Sequence, residues 1–290
     1  MITRNLFAGL FAVLFALIGA IPAAQAGNNF KAIGLTQDGV LMRFTTGSPG
    51  STQDIGFITG LQGGDTSLIG IDFRVQDGLL YGVGTLGGLY IINPQNAVAS
   101  FQNYTLSPAP QGNFFGVDFN PAANALRVVS DTGQNLRVPF VDNVPQATVN
   151  DGTLTYAALP TPVTATGISA AAYTNNDLVT TTGTTLFDID TATVPPATDP
   201  QDVVVIQSPA NAGSVVTTGS LGVDAGPQAG FDIFTRKAAS GAAKSNSGFA
   251  SLLVNGRYRL HTIDLLTGRA TAVGNAFDDP VVDIAIRLDQ

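Results

Sequence analysis

Gly70-Ile71-Asp72-Phe73, Gly116-Val117-Asp118-Phe119 and Gly230-Phe231-Asp232-Ile233 are copies of one short pattern, glycine–apolar–aspartate–apolar. A degenerate copy reads Gly167-Ile168-Ser169-Ala170, and a last one, Val281-Val282-Asp283-Ile284, lacks the glycine. The third positions are spaced by 46, 51, 63 and 51 residues. Repeats of this length built from short strands point to the blades of a β-propeller.

The residues between the copies support that architecture. After Ser67–Arg74, a strand by pattern, come the turn Asp77-Gly78, strand Leu79–Val83, the turn Gly87-Gly88, and strands Leu89–Asn93 and Ala97–Thr105. The last unit repeats the rhythm through the turns Asn255-Gly256 and Leu266-Thr267-Gly268. Asn-Gly and Asp-Gly between β-rich runs are strong hairpin signals. No sustained helical periodicity follows residue 26. The first segment, Phe30–Leu35, Val40–Thr46 and Asp54–Ile58, supplies three strands and no repeat start, whereas Val281–Leu288 supplies a repeat start and nothing after it. Joined, they make one complete unit, and a ring closed this way hides two sheet edges. The expected fold is therefore all-β: a propeller of five blades with about four strands each, closed by the C-terminal strand. The blades centre on residues 30–60, 67–106, 113–157, 166–218 and 220–275. The proline-rich stretch Thr191–Pro209 leaves room for a sixth as the alternative.

Location is read from the amino terminus. Arg4, the apolar run Leu6–Ile21, the helix breaker Pro22 and the small-x-small site Ala24-Gln25-Ala26 describe a cleavable secretory signal over residues 1–26. Residues 27–290 then form a single domain, destined for the periplasm or the exterior, with no further apolar run that could span a bilayer. With no cysteine, the chain has no thiolate chemistry or disulfide. Without the leader, 12 basic residues face 21 acidic ones, a net charge of −9. Nucleic acid, which demands a basic patch, is thereby excluded as a partner.

Asp72, Asp118, Asp232 and Asp283, with Ser169 in the fourth unit, are expected at equivalent places on the strands nearest the axis. Four carboxylates around a channel offer the hard oxygen ligands that Ca²⁺ takes. The preferred reading is structural: each aspartate accepts backbone hydrogen bonds from the neighbouring blade, because a buried carboxylate needs partners, and no cofactor is expected. The second polar candidate is the hairpin Arg127-Val128-Val129-Ser130-Asp131-Thr132-Gly133-Gln134-Asn135-Leu136-Arg137. Arg127, Asp131, Gln134, Asn135, Arg137 and Asn120 would form a polar binding mouth, since arginine's fork suits carboxylates or phosphates. The alternative, preferred here too, is that the turn is only a turn and the arginines pair with blade aspartates.

That hairpin, together with Gly116-Val117-Asp118-Phe119-Asn120-Pro121, Ala171-Ala172-Tyr173-Thr174-Asn175 and Leu221-Gly222-Val223-Asp224, resembles the bacterial domain-of-unknown-function family 4394. The resemblance spans nearly the whole mature chain. It implies an exported, propeller-like protein, and it assigns neither an activity nor a site residue.

Other motifs carry less. Gly82-Val83-Gly84-Thr85-Leu86-Gly87 has the spacing of a dinucleotide loop, but a strand follows where the pyrophosphate would need a helix N-terminus. His261 is the only histidine and sits in an ordinary strand pattern, so it reads as a packing residue. Two functional classes remain. The leading one is a non-catalytic scaffold that binds a small molecule, glycan or protein with loops on a rigid frame. The other is a metal-dependent hydrolase or lyase with a cation held by the axial aspartates.

Overall fold

Strands buried on both faces dominate the architecture, and that follows from the apolar runs between turns. The computed structural model describes residues 29–157, 161–192 and 202–289. The leader read in residues 1–26 lies outside them.

Five sheets stand around one axis. Blade one contains β1 (Lys31–Thr36), β2 (Val40–Thr45) and β3 (Gln53–Phe57). Blade two is β4 (Leu68–Phe73), β5 (Leu80–Gly84), β6 (Gly88–Ile92) and β7 (Ala99–Thr105). Blade three is β8 (Phe115–Asn120), β9 (Ala125–Ser130), β10 (Asn135–Val141), β11 (Val144–Pro145) and β12 (Val149–Asn150). Blade four takes β13 (Thr155–Tyr156) and β14 (Val163–Thr164) onto its outer side beyond β15 (Ile168–Tyr173), β16 (Leu186–Asp190), β17 (Val203–Gln207) and β18 (Ser214–Ser220). Blade five is β19 (Ala229–Lys237), β20 (Ala243–Val254), β21 (Arg257–Ile263) and β22 (Ala270–Ala272), and β23 (Val281–Ile286) ends the described strands.

β23 pairs antiparallel with β1, from Ala32 opposite Ile286 to Thr36 opposite Val281, so the tail completes blade one as expected. The inner strands β23, β4, β8, β15 and β19 touch in succession and close the ring. One boundary differs from expectation. Thr155-Tyr156 pairs parallel with β18 and belongs to blade four, although it follows blade three in sequence. The described part of the Thr191–Pro209 stretch supplies β17 of blade four.

Local chemistry explains the turns. Asn255 and Gly256 adopt φ 51° and 74°, the two left-handed residues of a type I′ hairpin. The motif glycines answer a different need. A Cβ on Gly116 would lie 2.5 Å from the Ala171 amide nitrogen, and one on Gly230 would lie 2.5 Å from Asp283 Cα. Neighbouring inner strands touch there, and only glycine fits.

The core lies between blades. Tyr81, Val83 and Leu89 of blade two pack with Val117, Phe119 and Leu126 of blade three. Phe187 and Ile189 of blade four pack with Phe231 and Ile233 of blade five. Gly82–Gly84 ends β5, Thr85-Leu86 turn, and β6 follows from Gly88, with no helix to meet a phosphate. His261 is buried on β21 with Nδ1 3.0 Å from the Arg259 carbonyl, and burial lowers its pKa. Among the described residues, no helix is long and apolar enough to cross a membrane.

Candidate functional site

Each inner strand pairs on one side only, so its axial edge presents amide N–H groups that no ladder satisfies. The aspartates accept them. Asp72 takes the Phe73 amide at 2.6 Å and, from the next blade, the Phe119 amide at 2.9 Å. Asp118 takes the Tyr173 amide of blade four at 3.2 Å. Asp232 takes the Ile233 and Ile286 amides, both at 2.5 Å. Asp283 takes the Ile284 amide at 2.9 Å and the Ile71 amide at 2.7 Å.

These bonds correct the alignment of two repeats. Asp72, Asp118 and Asp232 accept from Phe119, Tyr173 and Ile286, the residues that follow Asp118, Ala172 and Ala285. The fourth-blade counterpart of Asp118 is therefore Ala172, and Ser169 lies instead in the bulge where the β15–β16 register shifts. Its Oγ is buried without a hydrogen-bond partner. In blade one the counterpart is Ala285. Asp283 stands two residues earlier, at the glycine level, and its Oδ2 would lie 3.1 Å from a Cβ on Gly70. The channel thus has one layer of three acids and two alanines, with Asp283 in the layer beside it.

Carboxylate oxygens of Asp72, Asp118 and Asp232 all lie within 4.8 Å of one another. All three are buried. Burial, then the neighbouring Asp232 charge, pushes Asp72 well above the ordinary carboxylate range. Burial does the same to Asp118, with the charges of Asp72 and Asp232 adding to it. Burial raises Asp232 to about 6, because its two amide bonds pull the other way. Asp283 is raised by burial and then by the Asp232 charge. Three oxygens so close suit a shared proton or a cation, but both oxygens of Asp72 and of Asp232 already serve as amide acceptors.

The arginine hairpin is also brought together, and its polar groups are hydrogen-bonded within the protein. Arg127 is buried and donates to Tyr173 Oη at 3.3 Å, Asn135 Oδ1 at 2.6 Å, Asp151 Oδ2 at 2.8 Å and Asn211 Oδ1 at 2.7 Å. Arg137 forks onto Asp151 at 2.9 and 3.1 Å. Asn135 also donates to the carbonyls of Gly152 and Ala210, both at 3.0 Å. Gln134 accepts the Gln111 amide at 2.8 Å and donates to the Ala109 carbonyl at 3.0 Å. Asp131 accepts the Asn113 amide at 2.9 Å, and Asn120 accepts the Ala123 amide at 3.0 Å. This network ties blade three to blade four.

A cavity of about 370 Å³ lies at the C-terminal ends of the inner strands, lined by Asp77, Asn176, Asp177, Leu178, Lys237 and Leu288 among others. Asp177 there accepts the Val179 and Ala243 amides, both at 2.7 Å. The opposite mouth, of about 360 Å³, is lined by Gln37, Ser67, Ile69, Phe115, Gln228 and Val282, among others, and by no charged side chain. Gln37, Ser67 and Gln228 come from blade one, from the segment entering blade two and from the segment entering blade five. The side chains of these three make no hydrogen bond among the described residues, unlike those of the hairpin and the acid layer. No motif marks them, and only ring closure brings them together.

No curated protein matches the chain. Among solved structures, it is similar to an auxiliary nutrient binding protein from Bacteroides thetaiotaomicron, at TM-score 0.45 and 11% identity over 89% of this chain. The chain covers 64% of that protein, less than two thirds of its length. It is also similar to the Pan2 WD40 domain of Neurospora crassa, at TM-score 0.40 and 12% identity over 90% of this chain and 83% of that domain. Neither likeness bears on what this chain binds. The family model described as Domain of unknown function (DUF4394) matches residues 40–285, from the second strand of blade one into the closing strand, and the chain belongs to that family.

Proposed function

We propose that this protein is an exported, non-catalytic binding propeller whose ligand sits in the mouth at the N-terminal ends of its inner strands. The carrying observation is the contrast between spent and unspent polar groups. Both oxygens of Asp72, Asp232 and Asp283 accept backbone amides, and the arginines pair with Asp151. At the mouth, Gln37, Ser67 and Gln228 stand uncommitted around Phe115. Convergent polar groups in a concavity on a rigid frame are what a small-molecule site requires. Export to the periplasm or exterior rests on the leader features of residues 1–26. No cofactor is needed for this role.

A second reading, a hydrolase or lyase using Ca²⁺ on Asp72, Asp118 and Asp232, draws on the proximity of their oxygens. It ranks behind because one oxygen of each already accepts an amide from the next blade, and the chain's one histidine is buried on β21, which is not an inner strand.

Thermal-shift screening of a soluble-metabolite library against the mature chain tests the leading reading. A stabilising compound that loses its effect on a Gln37→Ala/Gln228→Ala double variant is expected. Compounds that stabilise wild type and double variant equally would refute it.

A further inference from the structure

Resting on that assignment of the mouth, we propose that its ligand is a neutral polyhydroxylated molecule, a saccharide. The lining decides the class by what it offers and what it lacks. Gln37 and Gln228 each carry a donor and an acceptor on one amide, and the Ser67 hydroxyl both gives and takes a proton. Sugar hydroxyls do the same, so each of these groups can bond one in either sense. Between them lies an apolar surface made by Ile69, Val282 and the half-buried Phe115 ring. An aromatic edge or face beside paired polar groups suits the C–H side of a pyranose, which is apolar while its rim is polar. At about 360 Å³ the cavity lies near the small end of ligand pockets and suits a mono- or disaccharide.

Charged ligands fit less well. A phosphate or carboxylate needs an arginine or lysine, and none lines the mouth of a chain whose net charge is −8. A cationic ligand needs an open carboxylate. Asp283 lies next to the lining residue Val282, but its two oxygens hold the Ile71 and Ile284 amides. Asp131 lies against the lining residues Gly112 and Asn113, and its Oδ1 holds the Asn113 amide at 2.9 Å. Asp38 is exposed beside the lining residues Gln37 and Gly39, accepts the Thr36 hydroxyl, and does not itself line the cavity.

Isothermal titration of the mature chain tests the proposal with glucose, galactose, N-acetylglucosamine, maltose and cellobiose, beside glucose 6-phosphate and choline. At least one neutral sugar is expected to bind with an affinity that added salt leaves unchanged. The Gln37→Ala/Gln228→Ala double variant, which alters only uncommitted side chains, should weaken it about tenfold. Phe115→Ala should weaken it about fivefold, with circular dichroism checking that the fold is kept. If choline or the sugar phosphate binds and the double variant abolishes it, the saccharide class falls and the mouth stands. If a sugar binds equally well to the wild type and the variants, both fall. No binding by any neutral sugar overturns the saccharide class, and the metabolite screen then decides the mouth separately.

Discussion

Replacing Asp72 with alanine tests what the axial acids do. The carboxylate is 7% exposed and accepts two amides, Phe73 in its own strand and Phe119 in the next blade. Alanine leaves both N–H groups buried without an acceptor, and each orphaned donor costs roughly 1–3 kcal/mol. Against this stands relief: the variant loses a desolvated carboxylate beside Asp232, a gain that grows as the neighbours ionise. The net loss for Asp72→Ala should be about 2–4 kcal/mol at pH 5 and smaller at pH 8. Asp118→Ala supplies an internal control, because Asp118 makes one amide bond, at 3.2 Å, and its loss should cost about half as much. The assay is equilibrium urea unfolding of both variants at the two pH values, with a two-state check. Unchanged stability for Asp72→Ala, or a larger loss for Asp118→Ala, would show that these carboxylates are not needed as amide acceptors.

Other consequences can be checked the same way. All four axial carboxyls have folded-state pKa values raised by burial, so the native state binds more protons than the unfolded chain. Their stabilisation is therefore full below the ordinary carboxylate value and is lost as pH climbs through the folded values, with Asp232 passing at about 6. Melting temperature should fall steadily from pH 4 to pH 8, and a flat or rising profile would contradict this. Asp188 is wholly buried with neither oxygen hydrogen-bonded, at a register position filled by Gly82, Val128 and Ala250 in other blades. Asp188→Val should raise stability by about 1–3 kcal/mol near pH 8, measured by urea midpoint. Gly116→Ala should cost about 1–3 kcal/mol or more, because the new methyl meets backbone in the next blade. Arg127→Ala should cost about 3–5 kcal/mol, since it leaves Asn135 Oδ1 and Asn211 Oδ1 without a donor and Asp151 with Arg137 alone, while leaving ligand affinity at the mouth intact in the folded fraction.

The fold was legible because its signals are local or repeated. The Gly–x–Asp copies mark inner strands, Asn255-Gly256 marks a tight hairpin, and the incomplete first and last segments fit each other. The register of blades one and four was hidden, because Ala172 and Ala285 carry no signature and Asp283 mimics the motif two residues early. The partners of Arg127 were out of reach as well: Asp151 and Asn211 lie 24 and 84 residues away. The mouth was least legible of all. A lone glutamine in blade one, a serine ahead of blade two and a glutamine ahead of blade five become neighbours only when the ring closes.

Backbone amides occupy the axial carboxylates, one oxygen of each reaching across to the next blade. Metal analysis of residues 27–290, equilibrated with Ca²⁺ and then desalted, probes this occupancy most directly when paired with melting in the presence and absence of a chelator. Less than stoichiometric metal and a melting temperature that the chelator does not move are expected. One tightly held Ca²⁺ per chain, lost in Asp118→Ala and accompanied by a large chelator-induced fall, would contradict it.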